Sequence, residues 1–198
     1  MDKEMVLQHF KASGALLEGH FILSSGLRSA NYLQCARVLM NPERAALLCG
    51  ELAKKIRQGL AGEKIDIVVS PAMGGVVVGY EMARQLGVDS IFTERVDGEL
   101  ELRRGFEIPK NARVLMAEDI VTTGLSSKEC IKTIEEHGGN VVAASCLVDR
   151  TNGNVELGVP LFSLMSLDIP TYKPDEIPAD LAKIPAIKPG SRGLNNKG

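Results

Sequence analysis

The sequence has no tryptophan and little aromatic character, since Phe, Trp and Tyr together make up only 4% of its 198 residues. It has no run of about 18 uninterrupted apolar residues, the length that a membrane-spanning helix needs. The first ten residues, MDKEMVLQHF, mix acidic, basic and apolar types and lack the apolar core of a secretory signal. We therefore expect a protein that is neither membrane-bound nor exported and that works in the cytoplasm.

Cysteine is scarce, and there is no excess of basic charge. The four cysteines form no C-x-x-C pair and have no closely spaced histidine, which argues against a zinc site and a disulfide framework. Lysine and arginine number 23 against 25 acidic residues, which gives a net charge of −2. This balance, without a long basic tract, argues against a general nucleic-acid-binding protein.

What the sequence does contain is a repeated order of strand, turn and helix. Nearly continuous apolar segments at 65–70, 88–94, 113–120 and 140–149 predict strands, and helical spacing follows the turns after the first and third of them. Strands that are apolar throughout are typical of a parallel sheet covered on both faces. We predict a single domain over residues 1–198 with a doubly wound, mainly parallel α/β fold.

Three segments lie outside this repeat. Residues 1–40 predict an amphipathic helix over 2–13 and then two short β-like runs around a Ser/Gly turn, a small N-terminal hood outside the main sheet. Residues 95–112 contain the turn signal Asp97-Gly98 between alternating residues and predict a protruding β-hairpin. A proline-rich tail follows a short apolar strand after Val159, and we expect its last residues, 187–198, to be mobile.

The segment VLMAEDIVTTGLSSKE at 114–129 carries the most chemical information. An apolar strand ends on Glu118 and Asp119, and a Thr/Gly/Ser turn over 122–126 then opens a helix. Amides at a helix N-terminus, together with hydroxyls, suit a phosphate monoester. The two carboxylates could hold ribose hydroxyls or a hydrated Mg²⁺. A phosphorylated sugar satisfies both halves of the segment.

A second candidate turn, SPAMGGV at 70–76, follows the first predicted strand, and its two glycines let the backbone approach a ligand closely. Both turns leave the carboxyl ends of parallel strands, where ligands bind in open α/β sheets. Neither matches G-x-x-x-x-G-K-[ST] or G-x-G-x-x-G, so those two kinds of nucleotide binding lose their main support.

Residues 114–126 closely resemble the phosphoribosyl pyrophosphate (PRPP) binding motif of the type I phosphoribosyltransferases. Three more segments resemble the orotate phosphoribosyltransferases and occur in that family's order. HFILSSGLRSANY (20–32) is similar to the N-terminal substrate loop, SPAMGG (70–75) to the pyrophosphate loop, and CLVDR (146–150) to the strand that ends in an orotate-binding arginine. The resemblance covers about residues 18 to 151. It implies the type I phosphoribosyltransferase fold and Mg²⁺-dependent transfer of ribose 5-phosphate from PRPP to N1 of orotate, giving orotidine 5′-phosphate and pyrophosphate in pyrimidine biosynthesis.

The resemblance also implies roles for individual residues. Glu118 and Asp119 would be catalytic residues at the ribose, and Arg95 a catalytic cation that also binds PRPP. The remaining PRPP contacts would come from Ile120, Val121, Thr122, Thr123, Gly124, Leu125, Ser126, Met73 and Gly74. The orotate site would comprise Thr122, Arg150, Ser25 and Gly26. PRPP itself would hold most of the Mg²⁺ coordination with Glu118 and Asp119 nearby, and the Ala72–Met73 peptide would be cis.

The chain departs from the family pattern in its cations. Ser24 and Gly74 stand where many members have a lysine, and the hairpin offers Arg95, Arg103 and Arg104 in place of the usual lysines and histidine. The resemblance implies a homodimer in which this hairpin is a lid shared with the neighbouring subunit. Two alternatives remain open: a purine or other base phosphoribosyltransferase, which would need no arginine for a carboxylate, and a non-catalytic PRPP-sensing regulator on the same fold.

Overall fold

A computed structural model describes residues 1–23 and 25–189 of the chain. A six-stranded main sheet has the order β5-β4-β3-β6-β7-β8. Its strands are β3 (Ile67–Pro71), β4 (Asp89–Val96), β5 (Glu99–Leu102), β6 (Arg113–Val121), β7 (Asn140–Asp149) and β8 (Leu161–Ser166). All neighbouring pairs are parallel except β4 and β5. The predicted doubly wound, mainly parallel α/β fold is confirmed.

Helices cover both faces of the main sheet, as the continuous apolar strands predicted. On one face lie α1 (Lys3–Ala12), α2 (Cys35–Leu39), α3 (Pro42–Gly59) and α4 (Gly75–Leu86), and on the other lies α5 (Leu125–Glu136). Strand β6 serves both cores, since Leu115 packs with the first group and Met116 packs with α5. This alternation also decides which face each side chain takes farther along β6, at the site.

Helix α3 begins where the sequence predicts, because its first residues are capped as expected. The Asn41 side chain accepts a hydrogen bond of 2.8 Å from the Arg44 amide, and Pro42 occupies the first helical position. Residues 35–38, which the sequence pattern included in a β-like run, instead belong to the short helix α2. None of the described helices is long and apolar enough to cross a membrane.

A second sheet, which we call the hood sheet, has the order β10-β1-β2-β9. Its centre is the predicted N-terminal hairpin, made of β1 (Leu16–Ile22) and β2 (Arg28–Leu33). Its edges come from the C-terminal tail: β9 (Thr171–Tyr172) pairs with β2, β10 (Ala186–Ile187) pairs with β1, and the helix α6 (Ala179–Ala182) lies between them. Ile187, which we expected to be mobile, thus pairs with Phe21, while 190–198 lie outside the described residues.

Strands β4 and β5 form the predicted hairpin, with Val96 opposite Glu99 across the Asp97-Gly98 turn. Both turn residues have positive φ, 49° and 98°, as a two-residue hairpin turn of this kind requires. The buried Leu100 anchors the hairpin, because its carbonyl accepts a 2.9 Å hydrogen bond from Thr133 Oγ1 on α5. The hairpin is therefore an edge of the main sheet that rests on α5.

Candidate active site

The carboxyl ends of β3, β6 and β7 bring most of the predicted site residues to one edge of the main sheet. Strand β3 leads into the turn at 72–74, β6 into the turn at 122–124, and β7 ends at Asp149 beside Val121. The Arg150 amide extends this pairing by donating a 2.9 Å hydrogen bond to the Val121 carbonyl. Three separate segments of the chain thus meet at one edge of the sheet.

Glu118 and Asp119 project to opposite faces of β6, as neighbouring residues of a strand must. Glu118 points towards α5, where its Oε2 accepts a short hydrogen bond from Ser127 Oγ. Asp119 lies on the α4 side, where a Cβ added to Gly74 would come within 3.0 Å of its Oδ1. The two carboxylates therefore flank the strand end.

Burial perturbs both carboxyl groups. Desolvation raises the pKa of Glu118 to about 7; the Ser127 hydrogen bond acts against this rise and the charge of Asp119 adds to it. Desolvation likewise raises the pKa of Asp119 to about 6, although the Ile120 amide donates a 2.9 Å hydrogen bond to its Oδ1. Two acids with raised pKa values at one strand end are typical of a functional site.

The turn after β6 presents the kinds of groups that could bind an anion. Thr122 and Thr123 are exposed, and the first amides of α5 have no acceptor within the helix. Gly124 has a φ of 74° and sits against Val155, so a side chain there would be strained and would collide with that valine. The absence of a side chain at Gly124 therefore allows the loop at 150–159 to pack against the turn through Val155.

The turn after β3 approaches the same edge. The Ala72–Met73 peptide is cis, as the resemblance implied, and the Ala72 amide donates a 2.8 Å hydrogen bond to the Thr93 carbonyl. Gly74 faces the Asp119 carboxylate, so the absence of a side chain at 74 leaves this approach open. A lysine at this position would have to pass that carboxylate, and the chain has none there.

Arg150 is a half-buried cation with unused hydrogen-bonding capacity. One guanidinium nitrogen, Nη2, donates a long 3.4 Å bond to the Ile169 carbonyl. The Nε atom is buried and has no hydrogen-bond partner in the described part of the chain. Desolvation lowers the pKa of this guanidinium, although the group stays charged. A buried donor without an acceptor is costly, which suits a site that receives an anion.

Other predicted residues are placed away from this edge or are already paired. Arg95 on β4 is exposed, donates to the Gly98 carbonyl and forms a short ion pair with Glu129 of α5. Arg104 binds Glu94 at 2.8 Å and lies over the Phe92 ring. Ser25 and Gly26 lie in the exposed turn of the hood hairpin, and no hydrogen bond among the described residues joins them to β6 or β7.

Two residues of interest had not been anticipated from the sequence. Ser127, fully buried in the first turn of α5, binds Glu118 directly. Arg28 of the hood sheet has two buried guanidinium nitrogens, Nε and Nη1, without a partner among the described residues. No sequence pattern links Ser127 to Glu118, nine positions earlier. A single arginine on a short strand, such as Arg28, is usually interpreted as a surface charge.

Comparison with known proteins gives this geometry a context. Residues 38–157 match the family model described as "Phosphoribosyl transferase domain". The chain is 61% identical over 194 residues to the orotate phosphoribosyltransferase of Rhizorhabdus wittichii, and the match covers 97% of each protein. Among solved structures, orotate phosphoribosyltransferase from Aeropyrum pernix is 29% identical with a TM-score of 0.68, over 82% of this chain and 94% of that one. Adenine phosphoribosyltransferase from Saccharomyces cerevisiae, at 19% identity and a TM-score of 0.64 over 82% of this chain and 99% of that one, shares the fold alone.

Proposed function

The chain belongs to the phosphoribosyltransferase family, within its orotate phosphoribosyltransferases, and we propose from its site that it transfers ribose 5-phosphate from PRPP to N1 of orotate. The observation that carries the proposal is the meeting of an acidic strand end, a helix N-terminus and a half-buried arginine at one sheet edge. These three features match the ribose, the phosphate and the carboxylate of the two substrates.

The phosphate and ribose of PRPP would occupy the turn after β6. The amides at 122–126 and the threonine hydroxyls would bind the 5′-phosphate at the positive end of α5. Glu118 and Asp119, flanking the strand end, would accept hydrogen bonds from the ribose hydroxyls. When ionised they would also stabilise the positive charge that develops on the ribose as pyrophosphate leaves.

The base would bind beside Arg150. A guanidinium presents two parallel donors that match a carboxylate, and orotate is distinguished from uracil by its carboxylate. The unpartnered Nε of Arg150 would gain an acceptor when orotate binds. Thr122, at the start of the adjoining turn, would border the base from the β6 side. Ser25 and Gly26 would contact orotate from the turn of the hood hairpin, and Met73 and Gly74 would contact the pyrophosphate.

The reaction's Mg²⁺ fits this donor set only with help from the substrate. Among residues 1–23 and 25–189, no group of three or more His, Cys, Asp or Glu side chains could hold a metal ion. Mg²⁺ prefers oxygen ligands and keeps waters and phosphate oxygens, so PRPP would supply most of its coordination with Glu118 and Asp119 nearby. When bound, the ion would neutralise the charge of the departing pyrophosphate.

We also propose a homodimer. Met73, Val77 and Tyr80 expose 82%, 50% and 67% of their surface along one side of α4 and the turn before it. Three large apolar side chains in a row suit a contact with a second copy of the chain. Because Met73 borders the site, that copy could deliver its hairpin, with Arg95, to the neighbour's pyrophosphate.

We also propose that the enzyme is cytoplasmic. The four cysteines of the chain are buried free thiols, which agrees with a reducing compartment.

The proposal is tested by incubating the protein with PRPP, Mg²⁺ and orotate and following the loss of orotate absorbance. Parallel reactions with uracil, adenine and hypoxanthine test the alternative of another base phosphoribosyltransferase. We expect turnover with orotate only. Turnover with a purine, or PRPP binding without turnover of any base, would refute the proposed substrate and favour one of the two alternatives.

A further inference from the structure

The Ser127 hydroxyl bonds a side chain outside its own helix. Serine and threonine inside helices commonly donate to the carbonyl four residues earlier. Thr133 of the same helix α5 does so, with a 3.0 Å bond to the Glu129 carbonyl. Ser127 instead donates sideways to Oε2 of Glu118, on the strand before the helix.

The surroundings of this bond leave it little freedom. Ser127 is fully buried, and Glu118 is the partner that the structure gives its hydroxyl. Glu118 has no ion pair within the described part of the chain. Without Ser127, this carboxylate would therefore lose the side-chain hydrogen bond that its Oε2 accepts, while its other oxygen, Oε1, accepts no hydrogen bond among the described residues.

We propose that Ser127 is a positioning residue that fixes the Glu118 carboxylate in the orientation that binds the ribose hydroxyls. The inference rests on the ribose-binding role that the proposed function gives Glu118. A carboxylate held by one oxygen loses less side-chain entropy when the substrate binds, so the hydroxyl would favour binding without touching the substrate.

The test separates ribose binding from phosphate binding. Ribose 5-phosphate carries the sugar hydroxyls and pyrophosphate does not, so the difference between the two calorimetric titrations reports on the carboxylates at the ribose, Glu118 and Asp119. We expect Ser127→Ala to raise the Kd of ribose 5-phosphate about tenfold, the effect of one hydrogen bond to a charged group. The Kd of pyrophosphate should stay within about twofold of the wild-type value.

Two controls account for the loss of a buried hydroxyl as such. Ser145→Ala removes another fully buried hydroxyl, one that donates to the Met116 carbonyl at 3.3 Å in the same sheet, and should leave both Kd values unchanged. In a Glu118→Ala background, which removes the acceptor, Ser127→Ala should have little further effect on ribose 5-phosphate binding, since the two residues would act as one unit. If Ser127→Ala does not fold, Ser127→Cys, with its weaker donor, carries the same comparison.

An unchanged Kd for ribose 5-phosphate in a folded Ser127 variant would overturn the inference, and so would equal weakening of pyrophosphate binding. Additive effects of the Glu118 and Ser127 substitutions would overturn it as well. The proposed substrate is tested separately. If the wild-type protein does not turn over orotate, but Ser127→Ala still weakens ribose 5-phosphate binding, orotate is refuted as the acceptor and the positioning role of Ser127 stands.

Discussion

Replacing Arg150 by alanine should damage orotate binding far more than PRPP binding. The guanidinium is assigned to the carboxylate of the base alone, and its Nε has no partner in the described residues until a ligand supplies one. Arg150→Lys separates the effect of charge from that of donor geometry, because lysine keeps the positive charge but lacks the planar pair of donors.

The magnitude follows from the bonds that disappear. Two hydrogen bonds between charged groups contribute about 1.5–3 kcal/mol each, so losing both should cost about 3–6 kcal/mol of orotate binding. Water entering the vacated space will recover part of this, and we expect the KM for orotate to rise about 100- to 1000-fold. The lysine variant should lie between the wild type and the alanine variant.

The folded protein should tolerate the change. Arg150 makes only one long side-chain hydrogen bond, to the Ile169 carbonyl at 3.4 Å, and burial already disfavours its charge. We expect Arg150→Ala to lower the free energy of unfolding by about 1 kcal/mol or less, a shift in Tm of about 2–4 °C. Arg37→Ala is a matched control, since Arg37 also donates to a backbone carbonyl, that of Gly14 at 3.1 Å, outside the site.

The assay measures initial rates with one substrate varied while the other saturates, for both variants and the control. A selective rise in the KM for orotate, together with weaker discrimination against uracil, supports the assignment. Equal rises in the KM for orotate and for PRPP, or a fall in Tm much larger than that of Arg37→Ala, would show that Arg150 is structural and refute the reasoning.

Three further predictions concern the acids and the hairpin. Asp119→Asn should remove most turnover in a folded protein, at a cost of about 2–4 kcal/mol of transition-state stabilisation, and a wild-type kcat/KM would contradict its place at the ribose. Without substrates, the free energy of unfolding should fall as pH rises from about 5 to about 7, above the range in which the carboxyl groups with lowered pKa, such as Glu51 and Asp66, affect stability. This follows because folded Glu118 and Asp119 keep protons that the unfolded chain, with ordinary carboxyl pKa values, has already released. Urea denaturation across this range should show a shallower fall for Asp119→Asn, and an identical slope would argue against the raised pKa. Finally, Arg95→Ala and Asp119→Asn proteins, each nearly inactive, should regain up to about a quarter of wild-type activity after subunit exchange, because a mixed two-fold dimer would have one intact site. No recovery despite demonstrated exchange would mean that the hairpin serves its own subunit.

The sequence by itself determined the main sheet and the segments that meet at its edge. Continuous apolar strands can be buried only between two layers of helices, so the pattern at 65–70, 113–120 and 140–149 already implies the parallel sheet. The carboxyl ends of parallel strands meet at one edge, so the placement of Asp119 and Arg150 near each other also followed from the pattern. The turn at Asp97-Gly98 and the start of α3 at Asn41 depend on the residue types at those positions, so the sequence alone predicts them.

Only the tertiary structure decided which groups pair with one another. The strands β9 and β10 have two residues each, too short for any periodic signal, and they exist because the hood hairpin offers them edges. The bond from Ser127 to Glu118 and the unpartnered nitrogens of Arg28 depend on how distant segments are packed. The raised pKa values of the two acids have the same origin, since desolvation depends on all the atoms around a group. Local pattern fixes periodicity and turns, whereas partners and burial are set by the packing of the whole chain.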